Sequence, residues 1–166
     1  MLRRKIIATP CEKMILVSDG EALIHANFIY DEEQLAPYMT AVEQDDHILL
    51  MATEQIEEYF ALKRKEFTIP LKVVGTAFQE RVWEVLAAIP YGEVLTYKEI
   101  AHKANSPKAF QATGGACKAN PIALIIPCHR VLGANGSYTG FAGDKIYMKE
   151  ALLKLEAGQR SLDYKK

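Results

Sequence analysis

Cysteine is scarce in this chain. There are three among 166 residues, with no C-x2-C pair. A disulfide framework is therefore not expected, and a structural zinc site of ordinary spacing is not indicated. Any cysteine that matters is expected to act as a free thiol. Long apolar runs are missing as well. None exceeds five residues, 122–126 being one of them, against the roughly 20 a membrane-spanning helix needs. The N-terminal stretch MLRRKIIATPCEK begins basic but reaches Lys13 too soon for the apolar core of a signal peptide. A cytoplasmic protein with no membrane partner is expected. Gly133, Gly136, Gly140 and Gly143 are too widely spaced for a phosphate loop or a dinucleotide fingerprint. Repeats and low-complexity stretches are absent. Disorder as the main state is excluded by 49% apolar residues beside 25% charged ones.

What remains is a globular chain long enough for one domain or two small ones. Its net charge of −1 argues against a wholly basic nucleic-acid binder. The distribution says more. Residues 1–74 carry 8 Lys+Arg against 13 Asp+Glu, and residues 75–166 carry 12 against 8. Between 98 and 130 stand Lys98, Lys103, Lys108, Lys118 and Arg130, with Glu99 the one acid. Such a strip suits phosphate contacts, or is simply a solvated helix face.

The first segment reads as strands at 5–8, 14–17 and 22–30, the last two joined by an Asp19-Gly20 turn. Helices are predicted at 37–42 and 53–63. Pro70 and Gly75 bracket a short extended piece, and a boundary is placed at 74/75, where the charge balance also switches. Beyond it, Thr76 with Gln79 forms a capping box for a helix that Pro90 stops. Tyr91-Gly92 is a turn. Thr96 with Glu99 is a second capping box, opening a short helix to about 104. Ser106 as N-cap and Pro107 at the first helical position start another, ending near Lys118. Two short helices about a tight turn resemble a helix-turn-helix. A last helix is predicted over 144–158, with Ile146, Leu152, Leu153 and Leu155 as its buried face.

The second helix of that pair is nearly bare. Ala109, Ala112, Gly114, Gly115 and Ala116 leave little side chain on it, and each internal glycine costs about 1 kcal/mol against alanine. Close approach of another backbone would offset that. The partner is either a nucleic-acid groove or a neighbouring helix.

The densest chemistry is Ile125-Ile126-Pro127-Cys128-His129-Arg130-Val131. Thiolate is the reactive form of cysteine, and a nearby imidazole and cations favour it. Neighbouring residues of an extended segment point to opposite faces. His129 would therefore act on Cys128 through a water or after a sharp turn, with a distant acid orienting its other nitrogen. A buried structural Cys beside a satisfied His is the alternative.

PCHRV, preceded by Asn120-Pro121-Ile122, resembles the active-site motif of the O6-alkylguanine-DNA alkyltransferases, the methylated-DNA–protein-cysteine methyltransferases. The resemblance extends through GTAFQERVWEVLAAIPYGEVLTYKEIA (75–101), ANSPKAFQATGGACKANPIALIIPCHRV (104–131) and GSYTGFAGDKIYMKEALLKLE (136–156). It implies an α/β N-terminal domain of ribonuclease-H-like character over 1–74. A mainly α C-terminal domain with a winged-helix-like helix-turn-helix over 75–166 would follow. It implies double-stranded DNA carrying O6-alkylguanine as partner, bound through the minor groove with the damaged base flipped out. It further implies irreversible transfer of the alkyl group to Cys128, with O4-alkylthymine as a further substrate to weigh, in a single turnover by a monomer without metal or cofactor. By the same resemblance His129 is a water-mediated base, Glu156 orients it, and Tyr97 donates a proton toward the leaving guanine. Asn120 braces the cysteine turn. Val131, Phe141 and Ala142 form the pocket with Tyr97, and Thr96, Lys98, Ala109, Phe110, Gln111, Ala112, Gly114 and Arg130 meet DNA.

Two departures stand out. The family pattern P-x-A-x-R places arginine where this chain has Gln111, which brings no charge to the gap a flipped base leaves. The loop usually read G-Y-x-G-G carries Phe141 and Asp144. Gln111 keeps a second reading open, an alkyltransferase-like protein that flags lesions without repairing them, although such proteins typically lack the cysteine. A sequence-specific regulator is the third, against which stands a recognition helix poor in base-reading side chains.

Overall fold

The computed structural model describes residues 1–133, 136 and 146–158. The chain divides into two compact units, Met1–Val73 with Pro121–Ala123, and Val74–Asn120 with the chain from Leu124 on. Among the described residues no helix is long and apolar enough to cross a membrane.

The first unit is a four-stranded mixed sheet with one long helix. Strands β1 (Arg3–Ile7), β2 (Met14–Ser18) and β3 (Leu23–Phe28) form an antiparallel meander. The Asp19 carboxylate makes the predicted turn between β2 and β3 by accepting from the Glu21 and Ala22 amides, both at 2.9 Å. Strand β4 (Val42–Glu43) adds in parallel beside β1, giving the order β3-β2-β1-β4. Strand β2 lies inside and is buried along its whole length. The helix predicted at 37–42 is not there. A 3-10 turn spans Glu32–Tyr38 instead, because the Gln34 side chain caps its start. It accepts from the Asp31 amide at 3.0 Å and donates to the Phe28 carbonyl at 2.8 Å. Helix α1 (His47–Phe60) begins six residues before the prediction. Its N-cap, Asp46, accepts from the Leu49 amide and the Ser18 hydroxyl, both at 2.8 Å. It ends where Leu62 turns into the left-handed region at φ 61°. Pro121–Ala123 joins this unit through Ala26, whose N–H donates to the Pro121 carbonyl and whose carbonyl accepts from the Ala123 N–H.

The second unit is mainly helical. Helix α2 (Ala77–Ala87) starts at the Thr76–Gln79 capping box, as its sequence predicts. A Cβ on Gly75 would stand 2.6 Å from the Trp83 ring, so glycine is what lets the chain pass over that indole. Trp83 in turn donates its Nε1–H to the Ala116 carbonyl at 2.8 Å, pinning α2 to α4 (Phe110–Lys118). Helix α3 (Tyr97–Lys103) opens at the Thr96–Glu99 box. Helix α4 starts three residues later than predicted. Asn105 takes φ 59°, and Ser106–Ala109 closes a turn of its own, so Ala109 stands at the N-cap without a side-chain cap. Helix α5 (Ile146–Glu156) buries Met148, Lys149, Ala151, Leu152 and Leu155, whereas Ile146 is exposed. Two short parallel strands, β5 (Leu95–Thr96) and β6 (Val131–Leu132), pair Leu95 with Val131 and Thr96 with Leu132.

Candidate active site

Residues Cys128–Arg130 form a 3-10 turn closed by the Arg130 N–H on the Pro127 carbonyl at 3.0 Å. This removes the difficulty posed by an extended segment. With about three residues per turn, three successive side chains leave in three directions. All three are buried. The ladder of β6 on β5 then fixes this turn beside the start of α3, where Tyr97 sits.

Glu156, the last residue of α5, organises the site. Its Oε2 lies 2.7 Å from His129 Nε2. Arg130 donates Nε–H to Oε1 at 2.7 Å and Nη2–H to Oε2 at 2.9 Å, a two-pronged grip on the carboxylate. The Gly92 amide adds a bond to Oε1 at 3.3 Å. Gly92 has φ 80°, so the predicted Tyr91-Gly92 turn is one that favours glycine. A carboxylate at a helix C-terminus works against the helix dipole by about 0.3–1 kcal/mol. The guanidinium offsets that and keeps Glu156 an acceptor. His129 Nε2 is consequently the donor, and Nδ1 carries the lone pair. Nδ1 is buried and has no hydrogen-bond partner among the described residues. Burial lowers the His129 pKa, with Arg130 and Lys149 adding to it and Glu156 opposing. The ring is thus a neutral base with one nitrogen held and the other open.

Cys128 is 8% exposed. Burial raises its pKa, while a hydrogen bond with the Asn120 side chain and the Lys149 cation pull it back down. Cys128 therefore rests as a thiol, a form that needs a base before it can act as a nucleophile. Asn120 also donates Nδ2–H to the Ile126 carbonyl at 2.8 Å, so one side chain braces both the approach to the turn and the sulfur. Burial also raises the Tyr97 phenol, as would negative charge on Cys117 or Cys128. Tyr97, Cys128 and Asn120 therefore share one neighbourhood.

Lys149 is the residue that sequence reasoning missed. Its side chain is fully buried, donates to the Val131 carbonyl and lies 5.8 Å from the Tyr97 ring centre. Burial lowers its pKa to about 8 against the pull of the two thiols. The signal was spacing. Lys149 stands seven residues before Glu156, two helical turns away on the same buried face.

Arg130 requires correction. It was expected at the DNA surface, but it is 6% exposed, and its guanidinium is committed to Glu156 and, through Nη1 at 2.7 Å, to the Ile89 carbonyl. Val131 has no exposed surface, so it backs the site and does not line an open pocket. Phe141 and Ala142 lie outside the described residues. The Thr96 hydroxyl is taken up by its capping box. Among the described residues, no three His, Cys, Asp or Glu side chains converge to hold a metal ion.

Helix α4 shows a different surface. Thr113, Ala116 and Cys117 are buried, while Phe110, Gln111, Ala112 and Gly115 are exposed, as are Lys98 and Lys118. A Cβ on Gly114 or Gly115 would meet nothing within 4 Å beyond its own helix, among the described residues. Packing of these glycines on a neighbouring helix, one of the two readings of the bare face, is ruled out within the described part of this unit.

The description of a 6-O-methylguanine DNA methyltransferase DNA-binding domain matches residues 77–158, and that of the same family's ribonuclease-like domain matches residues 2–73. The chain belongs to this family. Among family members, the methylated-DNA–protein-cysteine methyltransferase of Methanosarcina acetivorans is 44% identical over 151 residues, covering 91% of this chain and 96% of its own. The O6-methylguanine methyltransferase of Mycobacterium tuberculosis superposes with a TM-score of 0.83 at 37% identity, covering 98% of this chain and 96% of its own. A structure of the Mycobacterium tuberculosis protein in complex with DNA matches with a TM-score of 0.83 at 36% identity, over 97% of this chain and 96% of that one. The expected architecture, an α/β ribonuclease-like part followed by a helical DNA-binding part, is the architecture of this family.

Proposed function

We propose that Cys128 is the acceptor in a direct repair reaction and that the surrounding charges serve that one transfer. Membership of the family makes the activity methylated-DNA–protein-cysteine methyl transfer. His129 Nδ1, buried with its lone pair free, takes the thiol proton through a water. The sulfur then attacks the alkyl carbon on O6 of a guanine, and the carbon–oxygen bond breaks. The departing guanine is neutralised by a proton from Tyr97. Lys149 lends its charge to the thiolate as it forms. The alkyl group comes from DNA and stays on sulfur, so the atoms balance without cofactor. A thioether is a poor leaving group, so one protein molecule repairs one lesion. The observation that carries this reading is the His129–Glu156–Arg130 chain, which orients one imidazole nitrogen and leaves the other buried and without a partner among the described residues.

The DNA partner is double-stranded and is met through the minor groove. The open face of α4 supports that. Its bare backbone around Gly114 and Gly115 suits a narrow groove, and a groove poor in sequence information suits scanning of every sequence. Lys98 and Lys118 supply phosphate contacts. Of the two parts, 1–74 and 75–166, the second carries both transfer and DNA binding. The protein acts as a monomer in the cytoplasm.

Incubation with a duplex holding one O6-methylguanine, followed by intact mass and peptide mapping, tests this. One methylene gained on Cys128, stopping at one per molecule, is expected. Tight binding without any gain would favour the lesion-flagging reading and make Gln111→Arg the first change to try. Cys128→Ala is expected to abolish transfer and keep DNA binding, measured by electrophoretic shift. If binding also disappears, the thiol has a structural role.

A further inference from the structure

The connection from α2 to β5 is short and sharply bent. The Glu93 N–H donates to the Pro90 carbonyl at 3.1 Å, and Gly92 takes φ 80°. Pro90–Glu93 is thus a four-residue turn of the kind that needs glycine in third place. Two points of it reach far along the chain into the site. The Ile89 carbonyl, just before the turn, accepts from Arg130 Nη1 at 2.7 Å. The Gly92 N–H donates to Glu156 Oε1 at 3.3 Å. Between them, half-buried Tyr91 sets its ring against the Arg130 guanidinium, with the ring centre 5.7 Å from Cζ. Beyond the turn, Leu95 pairs with Val131, next to Arg130. The turn also completes what surrounds the carboxylate. Oε2 meets His129 Nε2 and Arg130 Nη2, while Oε1 meets Arg130 Nε and the Gly92 amide. Four donors match about the four lone-pair sites that a carboxylate offers. The Glu156 side chain has no exposed surface, whereas Pro90 and Gly92 are exposed, so the turn stands between this carboxylate and water. A Cβ on Gly92 would lie 3.4 Å from the Glu156 carbonyl oxygen.

We propose that Tyr91 and Gly92 are positioning residues for the transfer, and that their turn locks the Glu156 carboxylate in the orientation that holds His129. A carboxylate gripped by Arg130 alone would be free to swing with that guanidinium. The turn restrains both partners. Gly92 holds Oε1, while the Tyr91 ring and the Ile89 carbonyl hold the guanidinium. With the pair fixed, Oε2 stays on His129 Nε2, and the imidazole keeps one direction. Dipoles fixed before the reaction need no rearrangement during it. The effect on transfer rests on His129 serving as the base, as proposed above; the locking of the carboxylate does not.

The experiment compares Gly92→Ala, Tyr91→Leu and Tyr91→Phe in the full-length protein. Methyl transfer from a duplex holding one O6-methylguanine is followed in a single turnover across DNA concentrations, so that affinity and rate separate. Proton NMR in water follows the His129 Nε2–H, identified by its loss in His129→Gln. Gly92→Ala and Tyr91→Leu are expected to slow transfer by about tenfold at unchanged DNA affinity, through a strained turn in one and a lost ring face in the other. In both, the Nε2 proton exchanges faster with water. Tyr91→Phe keeps the ring and rescues both readouts. Parental rate and parental exchange in both variants would overturn the proposal. So would slow transfer with an unchanged Nε2 proton, or a Tyr91→Phe as slow as Tyr91→Leu. If Gly92→Ala does not fold, the two Tyr91 variants decide by the same readouts. The function is read separately. If the unaltered protein takes no methyl group from alkylated DNA, the assigned function fails, and proton exchange still reports whether the turn locks Glu156.

Discussion

The carboxylate of Glu156 and the exposed face of α4 are organised in opposite ways. Glu156 is buried and held by an imidazole, a guanidinium and a backbone amide. Around Gly114 and Gly115 nothing beyond the helix itself comes within 4 Å of where a side chain would begin, among the described residues. One region is fixed before any partner arrives, and the other is left for a partner to complete. Chemistry that depends on the position of one proton gains from preorganisation. A surface that must accept many sequences gains from offering little that discriminates.

Removing the clamp should have the largest effect. Glu156→Gln leaves the Arg130 guanidinium buried against an amide, and breaking a buried pair from one side costs about 3–5 kcal/mol. Calorimetry should show a loss of that order together with lost methyl transfer. A variant within about 1 kcal/mol of the parent, a routine value for a point change, would mean that Arg130 finds water or another acceptor.

Filling the open face should act in the other direction. Gly114→Ala is expected to stabilise the protein by up to about 1 kcal/mol, since alanine is the better helix former and no described neighbour stands in the way. DNA affinity should fall in the same variant. Stabilisation with unchanged affinity would remove this glycine from the interface. Gln111→Arg adds one cation to that face. If it reaches phosphate, the slope of log affinity against log salt steepens by about 0.9.

Lys149→Met separates charge from packing with the subtlest readout. Its cation lowers the Cys128 thiol, which burial raises, so removing it moves the thiol to higher pKa still. Alkylation of Cys128 by iodoacetamide should be slower in the variant. Lys149 itself loses its charge through about pH 8, so the difference should be greatest below that pH and shrink above it. A constant ratio across pH 6–10 would show that packing, not charge, is what Lys149 supplies.

The capping boxes at Thr76 and Thr96 were legible because their donors and acceptors lie three residues apart in the chain. So was the β2–β3 turn, for which Asp19 needs only its next neighbours. Cys128, His129 and Glu156 could be named through family resemblance, and the 3-10 turn explains how neighbours in sequence serve different ends. Arg130 could not be placed. Its partners, Glu156 and Ile89, are 26 and 41 residues distant, and only folding reveals that a basic residue within a basic strip faces inward. The start of α1 was misjudged because Asp46 caps through a hydroxyl from β2 as well as through its own helix. Ser106 failed as a cap because Asn105 turns left-handed first.

The turn at Cys128–Arg130 has a consequence for how this stretch can change. One residue presents the sulfur, the next the imidazole, and the third grips the carboxylate that holds the imidazole. An inserted or deleted residue would rotate all three by about a third of a circle, given the repeat of such a turn. The tripeptide therefore behaves as a single indivisible word, whose spelling cannot be lengthened or shortened.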